Sequence, residues 1–205
     1  VKERYDMLKS HHKTAEKRYT PLANEVITGT FCGDYDYVLG LLRDCYFPTR
    51  EGVANFHDAY TDALMMAGLK KVSDGKYTEA VELYRKAFEY PDNQQVFLVD
   101  KRVPRDAQTY FMIGEAYEKA GQKSKAKEAY KMASAVRVKK TEYRYWQALA
   151  LDKLGRSEEA RAIFEAIEKQ GRDGVVQSVF NFYGAEGTTG QTVETVNTKS
   201  YYLMG

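Results

Sequence analysis

Three histidines, two cysteines and one glycine-rich loop are where this sequence would have to keep any chemistry. His11 and His12 are adjacent, so on a helix they point to different sides, and His57 lies about 45 residues further on. A zinc site draws its ligands from short, paired spacings, and these three residues offer none. They read as surface or capping histidines, with His57-Asp58 opening a helix whose positive end favours the aspartate. Cys32 and Cys45 stand near opposite ends of the helix-bearing segment CGDYDYVLGLLRDC. That placement is too wide for the short Cα separation of a disulfide, so both read as small, semi-buried thiols. Glu186 is the acid of the loop GAEGTTG, 184–190. The loop lacks the lysine that a phosphate-cradling glycine loop requires. No catalytic residue, metal site or cofactor is expected.

Trp146 and Tyr143 flank the basic run Arg137-Val138-Lys139-Lys140, and aromatic side chains beside cations can stack on nucleobases. The chain as a whole argues against that use. It carries 31 Lys and Arg against 29 Asp and Glu, a net charge of +2, with the signs alternating along helices. A nucleic-acid-binding chain concentrates a basic excess on one surface. Pairs such as Glu115 and Lys119, four apart, belong to solvated helix faces and need no catalytic role. A composition that is 43% hydrophobic and 29% charged describes a soluble, foldable chain. No stretch approaches 18 apolar residues, so no membrane span is expected. The first residues lack an apolar signal core. The chain opens on Val1 and reads as a piece of a longer protein. Its compartment stays open, with the cytoplasm slightly favoured.

The elements that position these residues come from an internal repeat. DGKYTEAVELYRKAFEYP at 74–91, AGQKSKAKEAYKMASA at 120–135 and LGRSEEARAIFEAIEK at 154–169 share one phrase. A glycine (Gly75, Gly121, Gly155) is followed by an alanine five residues on (Ala80, Ala126, Ala160) and an aromatic four beyond that (Tyr84, Tyr130, Phe164). Gly121 to Gly155 is 34 residues, and Gly75 to Gly121 is 46, one period plus an insertion of 12. Glycine just past a helix takes positive φ and caps it. The alanine lets two antiparallel helices approach, and the aromatic fills the layer one turn later. Helices are predicted over 57–74, 107–120 and 141–154 as the first member of each pair. Gly68 and Gly114 lie inside two of them, at a cost of about 1 kcal/mol each; close helix contact is the reason to keep them.

The divisions that follow are a degenerate leading helix pair at 1–56 and a first repeat at 57–93. An insertion at 94–106 precedes a second repeat at 107–140 and a third at 141–171. An irregular tail at 172–205 leads into a truncated further repeat. In the leading pair, 10–30 reads as one helix, broken or bent near Pro21, and Gly33, Tyr35 and Leu42 echo the later anchors. The insertion contains QQVFLVD, an extended segment or a lid.

Tyr110, Gly114, Tyr117, Gly121, Ala126, Tyr130 and Ala133 resemble the 34-residue tetratricopeptide signature. The flanking repeats share it through Leu64, Gly68, Gly75, Ala80 and Tyr84, and through Ala148, Leu151, Gly155, Ala160 and Phe164. The resemblance is strong over 61–169 and weak over 10–60. It implies an all-α, right-handed solenoid of antiparallel helix pairs. The longer phrases VANFHDAYTDALMMAGLKKVSDGKYTEAVELYRKAFEYP and EYRYWQALALDKLGRSEEARAIFEAI resemble the helical carboxy-terminal region of large bacterial proteins that carry a domain of unknown function. In those proteins a β-rich, carbohydrate-related part precedes the repeats.

The resemblance implies an inner groove on the first helices, lined here by Met65, Leu69, Phe111, Glu115, Tyr145 and Leu149. The lysine, asparagine and arginine with which peptide-binding members clamp a terminal carboxylate are missing from those positions. The groove is therefore expected to hold a hydrophobic peptide or helix, or to be covered by a missing domain or tail of the same polypeptide. DGVVQSVFNFYG is one candidate cover. The functional expectation is a non-catalytic scaffold for protein–protein or intramolecular contacts. The alternative is an accessory domain of a larger carbohydrate-active enzyme.

Overall fold

Four glycines turn this chain. Gly33, Gly75, Gly121 and Gly155 all take the left-handed conformation, with φ between 74° and 79°. Side chains with a Cβ avoid that region, whereas glycine enters it freely. At each one the residue after the glycine donates its N–H to the carbonyl five residues back. The bonds are Asp34 to Gly29 (3.1 Å), Lys76 to Lys71 (2.8 Å), Gln122 to Tyr117 (2.9 Å) and Arg156 to Leu151 (2.9 Å). This is the Schellman closure of a helix end, which satisfies carbonyls that would otherwise lack partners. The first of the four lies in the degenerate leading pair, which therefore turns by the same chemistry as the three clear repeats.

The computed structural model describes residues 1–48, 56–94, 105–137 and 141–184, with the side chains of 141–142 and 174–184 excepted. Among the described residues the chain is helical. The elements are α1 (Lys2–Ser10), α2 (His12–Ala15), α3 (Tyr19–Cys32), α4 (Tyr35–Asp44), α5 (His57–Ser73), α6 (Tyr77–Lys86), α7 (Asp106–Lys119), α8 (Lys123–Ala135), α9 (Thr141–Lys153) and α10 (Ser157–Gly184). An isolated parallel bridge joins Phe47 to Gln94. Consecutive helices pair antiparallel, as in α5 with α6, α7 with α8 and α9 with α10, which is the architecture of a tetratricopeptide-like helical solenoid.

The helices fall into two compact units. One is Val1–Val103 with Met112–Ala126, and the other is Pro104–Phe111 with Lys127–Gly205. In the first, α3 packs on α1, α4 and α5, and α5 packs on α4 and α6. In the second, α9 lies along α10, and Ile163 and Phe164 close over Ala148, Leu151 and Ala160.

The packing follows the glycine register. Five residues past each turn stand Val38, Ala80, Ala126 and Ala160, all buried to 3% exposure or less. Four further on stand Leu42, Tyr84 and Tyr130, all buried, and the half-buried Phe164. Among the described residues Tyr84 is the largest side chain to be fully buried. It reaches that depth because Gly68 on α5 has no side chain. A Cβ at Gly68 would lie 2.2 Å from Cε1 of Tyr84. Gly29 plays a similar part under Val38 and Tyr5, where a Cβ would sit at 2.7 and 2.9 Å.

Two segments depart from the sequence expectation. Residues 10–30 are broken rather than bent, and the break does not fall at Pro21 itself. The chain breaks earlier, at Arg18, whose φ of −135° and ψ of 130° are extended, and α3 starts afresh at Tyr19. Pro21 then falls in the first turn of α3, where its missing N–H has no intrahelical acceptor to lose. At the other end the residues after 171 are not irregular at once, because α10 runs through Gly184. It does so although two glycines, Gly171 and Gly174, cost about 1 kcal/mol each in a helix. QQVFLVD beyond Gln94, the run 138–140 and the segment 185–205, with Glu186, lie outside the described residues.

Gly68→Ala should destabilise the protein by roughly 1–3 kcal/mol through overpacking against Tyr84. Gly40→Ala, at a mid-helix position with nothing within 4 Å of the added Cβ, should stabilise it by about 0.5–1 kcal/mol. Urea unfolding midpoints of the two variants should move in opposite directions.

Candidate functional site

The six residues expected to line an inner groove do not share one exposed face. Met65 and Phe111 are core residues, each 4% exposed. Leu69 and Tyr145 are open to solvent at 41% and 44%, and Glu115 and Leu149 are half-buried. The reason is visible on α7, where 105–114 are buried or half-buried on every side. On α5 the exposed strip is narrow and mixed, with Asp58 and Asp62 followed by Met66 and Leu69.

In the second unit the structure does bring aromatic residues together. Tyr130 of α8 lies 5.5 Å from Phe111, which lies 5.6 Å from Trp146 of α9. Trp146 meets Tyr145 edge-on at 5.5 Å, and Tyr145 lies 5.8 Å from Phe164 of α10. All four centroid distances fall in the range in which aromatic rings attract beyond their buried area. The row starts in the core at Tyr130 and reaches solvent at Tyr145. Trp146, which the sequence placed beside a basic run, has its ring engaged with Phe111 and Tyr145. Gln147, on the buried side of α9, ties the row to its neighbour by donating Nε2 to the carbonyl of Val136.

A second constellation was missed at the sequence level. Glu25 of α3 is fully buried. Its Oε1 accepts from the Tyr37 hydroxyl at 2.6 Å, and its Oε2 lies 3.0 Å from Nδ1 of His12. The other ring nitrogen of His12 is 3.3 Å from Glu16. Alongside, Asp34 accepts from the Tyr5 hydroxyl at 2.6 Å and from Lys9, whose ammonium also sits 4.3 Å over the Tyr37 ring. Burial raises the Tyr37 and Tyr5 phenols, and the carboxylates they serve raise them further. The Lys9 and Tyr5 hydrogen bonds hold Asp34 below the usual carboxylate range. The signal for Glu25 was present in LANEVITGTF, where one acid interrupts an apolar helix. His57 opens α5 as read, yet it is 1% exposed rather than on the surface, stacked on Tyr90 at 4.1 Å. Cys32 is exposed, Cys45 is half-buried, and both thiols are free.

Neither constellation is laid out for catalysis. Among the described residues no group of three or more His, Cys, Asp or Glu could hold a metal ion, and no helix is long and apolar enough to cross a membrane. Glu25 faces Tyr37 and His12, and Asp34 faces Tyr5 and Lys9.

Residues 111–175 match the tetratricopeptide repeat family model. This stretch carries a tetratricopeptide-type repeat. It begins within α7, takes in α8 and α9, and ends inside α10, so it contains the whole aromatic row except its burial partners outside that range. The match covers under half of the chain. No curated protein matches the chain.

Tyr37→Phe should cost about 1–3 kcal/mol, because it leaves a buried carboxylate short of a donor. Lys2→Ala, which removes the exposed Lys2–Asp6 pair, should cost under about 1 kcal/mol; thermal or urea unfolding separates the two. Asp106, at the start of α7, gives a pH test. Its helix position favours the anion, but burial wins and pushes its pKa up to about 6. The folded state therefore keeps a proton that the unfolded chain releases near pH 4. Stability from this group is full below pH 4 and is lost as the pH rises towards 6. Asp106→Asn should match the native protein near pH 3.5 and exceed it in stability at pH 7.

Proposed function

We propose that this protein is a non-catalytic scaffold that binds a protein or peptide through apolar side chains on its helix pairs. The observation that carries the reading is the aromatic row of the second unit, which runs from a buried tyrosine to an exposed one. Tyrosine and tryptophan supply large, rigid contact area at low entropic cost, and they dominate binding hot spots. Phe111 supports the row from the core, while Tyr145 and Leu149 meet the partner. In the first unit Leu69 and Met66 offer a smaller apolar contact, with Met65 behind them and Glu115 as a polar neighbour. The partner is a peptide or a folded domain, including a neighbouring domain wherever this sequence is part of a longer chain. The helical repeat architecture and the tetratricopeptide match support an interaction role.

Trp146 is the single tryptophan of the chain and stands inside the row, so its emission reports on it. Titration with an amphipathic, leucine-rich helical peptide should shift that emission to the blue. Tyr145→Arg should weaken binding at least about tenfold, or roughly 1.4 kcal/mol. An emission unmoved by the peptide, or an affinity unchanged in the variant, would sink the reading.

A further inference from the structure

Several cations on the first unit stand beside a carboxylate. Lys70 meets Asp74 at 2.5 Å, Lys71 meets Glu79 at 2.7 Å and Arg43 meets Asp44 at 2.7 Å. Arg85 of α6 and Lys125 of α8 do otherwise, and both turn to the same phenol. The Arg85 guanidinium donates to the Tyr117 hydroxyl at 3.1 Å. The Lys125 ammonium lies 5.4 Å from the centre of the Tyr117 ring. Neither has an ion-pair partner among the described residues. Two positive groups on one ring repel each other, and no carboxylate forms an ion pair with either of them among the described residues.

Between them runs a groove of about 150 Å³. Arg85, Lys125 and Tyr117 form its sides, the Thr78 hydroxyl and the Gln122 amide line it, and Val81 gives it an apolar floor. It continues past Tyr77, Thr78 and Ala120 into a second groove bordered by Lys76 and Lys119. Two acids share this lining. Glu79 is held by Lys71, which leaves Glu82 as the uncommitted carboxylate against four cations.

We propose that this groove takes the carboxylate side chain of an acidic peptide segment. The carboxylate lies between Arg85 and Lys125 and accepts charge-assisted hydrogen bonds from both, which removes their mutual repulsion. Tyr117 orients the two donors, while Val81 and Ala120 cover the methylene groups of the incoming side chain. Lys76 and Lys119 draw further acidic residues along the rim. The apolar floor favours a peptide over a free phosphate, which has no methylene to bury. This surface is separate from the aromatic row, and its occupant is of the opposite character.

The test is fluorescence anisotropy on the full chain with a short, fluorescein-labelled, amidated peptide of alternating glutamate and leucine, and with its glutamine counterpart. The glutamate peptide should bind, and the glutamine peptide should bind at least about tenfold more weakly. Arg85→Gln and Lys125→Gln are exposed changes whose retained fold circular dichroism verifies. Each should reduce affinity for the glutamate peptide about tenfold, and binding should weaken as salt is raised. Tyr145→Arg should leave this binding unchanged while disrupting the aromatic row, so the two surfaces fail independently. Millimolar inorganic phosphate should not displace the peptide. The proposal is overturned by equal affinity for the two peptides, by native-like binding in both glutamine variants, by full displacement with phosphate, or by no binding of the glutamate peptide.

Discussion

The rest of this structure depends on a helix end closed by a left-handed glycine and a hydrogen bond reaching back five residues. The closure recurs at Gly33, Gly75, Gly121 and Gly155 with nearly the same φ. Because the turn is rigid and short, it sets where the second helix begins and which of its residues face the first. A small or branched side chain comes five residues later and a large one nine residues later, at the depth where the two helices touch. Gly68 shows how tight the fit becomes, since Tyr84 occupies the volume its side chain would have taken. Turn and core are thus two consequences of one register.

What the register leaves outside is the working part of the molecule. Scaffolds of this kind carry function on side chains that packing does not claim. Here those side chains differ sharply in character. Tyr145 ends a row of aromatics rooted in the core, whereas Arg85 and Lys125 share a phenol with no counter-ion. The buried polar residues serve another purpose. Glu25 is satisfied by Tyr37 and His12 and opens onto no cavity, so it acts on the packing of α2, α3 and α4.

The helix pairs were legible because glycine, alanine and aromatic positions act locally and recur at a fixed spacing. The break at Arg18 was not, because Pro21 attracts attention as the obvious breaker while the first turn of a helix tolerates it. The end of α10 was misread for a related reason. Glycines at 171 and 174 suggested irregular chain, yet the helix continues through them to Gly184. The groove residues were the least legible. Spacing along α7 puts Phe111 and Glu115 on one face, but only the neighbours of α7 decide whether that face meets solvent. Burial of Glu25 and His57 is likewise a property of surroundings, although a lone acid in LANEVITGTF was a usable sign.

Helical repeats hold together mainly through contacts between neighbours, so an array of them can peel from its ends one piece at a time. The cluster around Glu25 opposes that in α1–α4. Lifting α2 away would strip His12 from a carboxylate that remains enclosed, and moving α4 would remove the Tyr37 hydroxyl. Lys9 and Tyr5 fasten α1 to Asp34 in the same way. Opening α2 or α4 alone would cost the enclosed Glu25 carboxylate a donor, which couples the release of α2, α3 and α4. A fold assembled from separable pieces thereby gains, in these helices, some of the cooperativity of a globular domain.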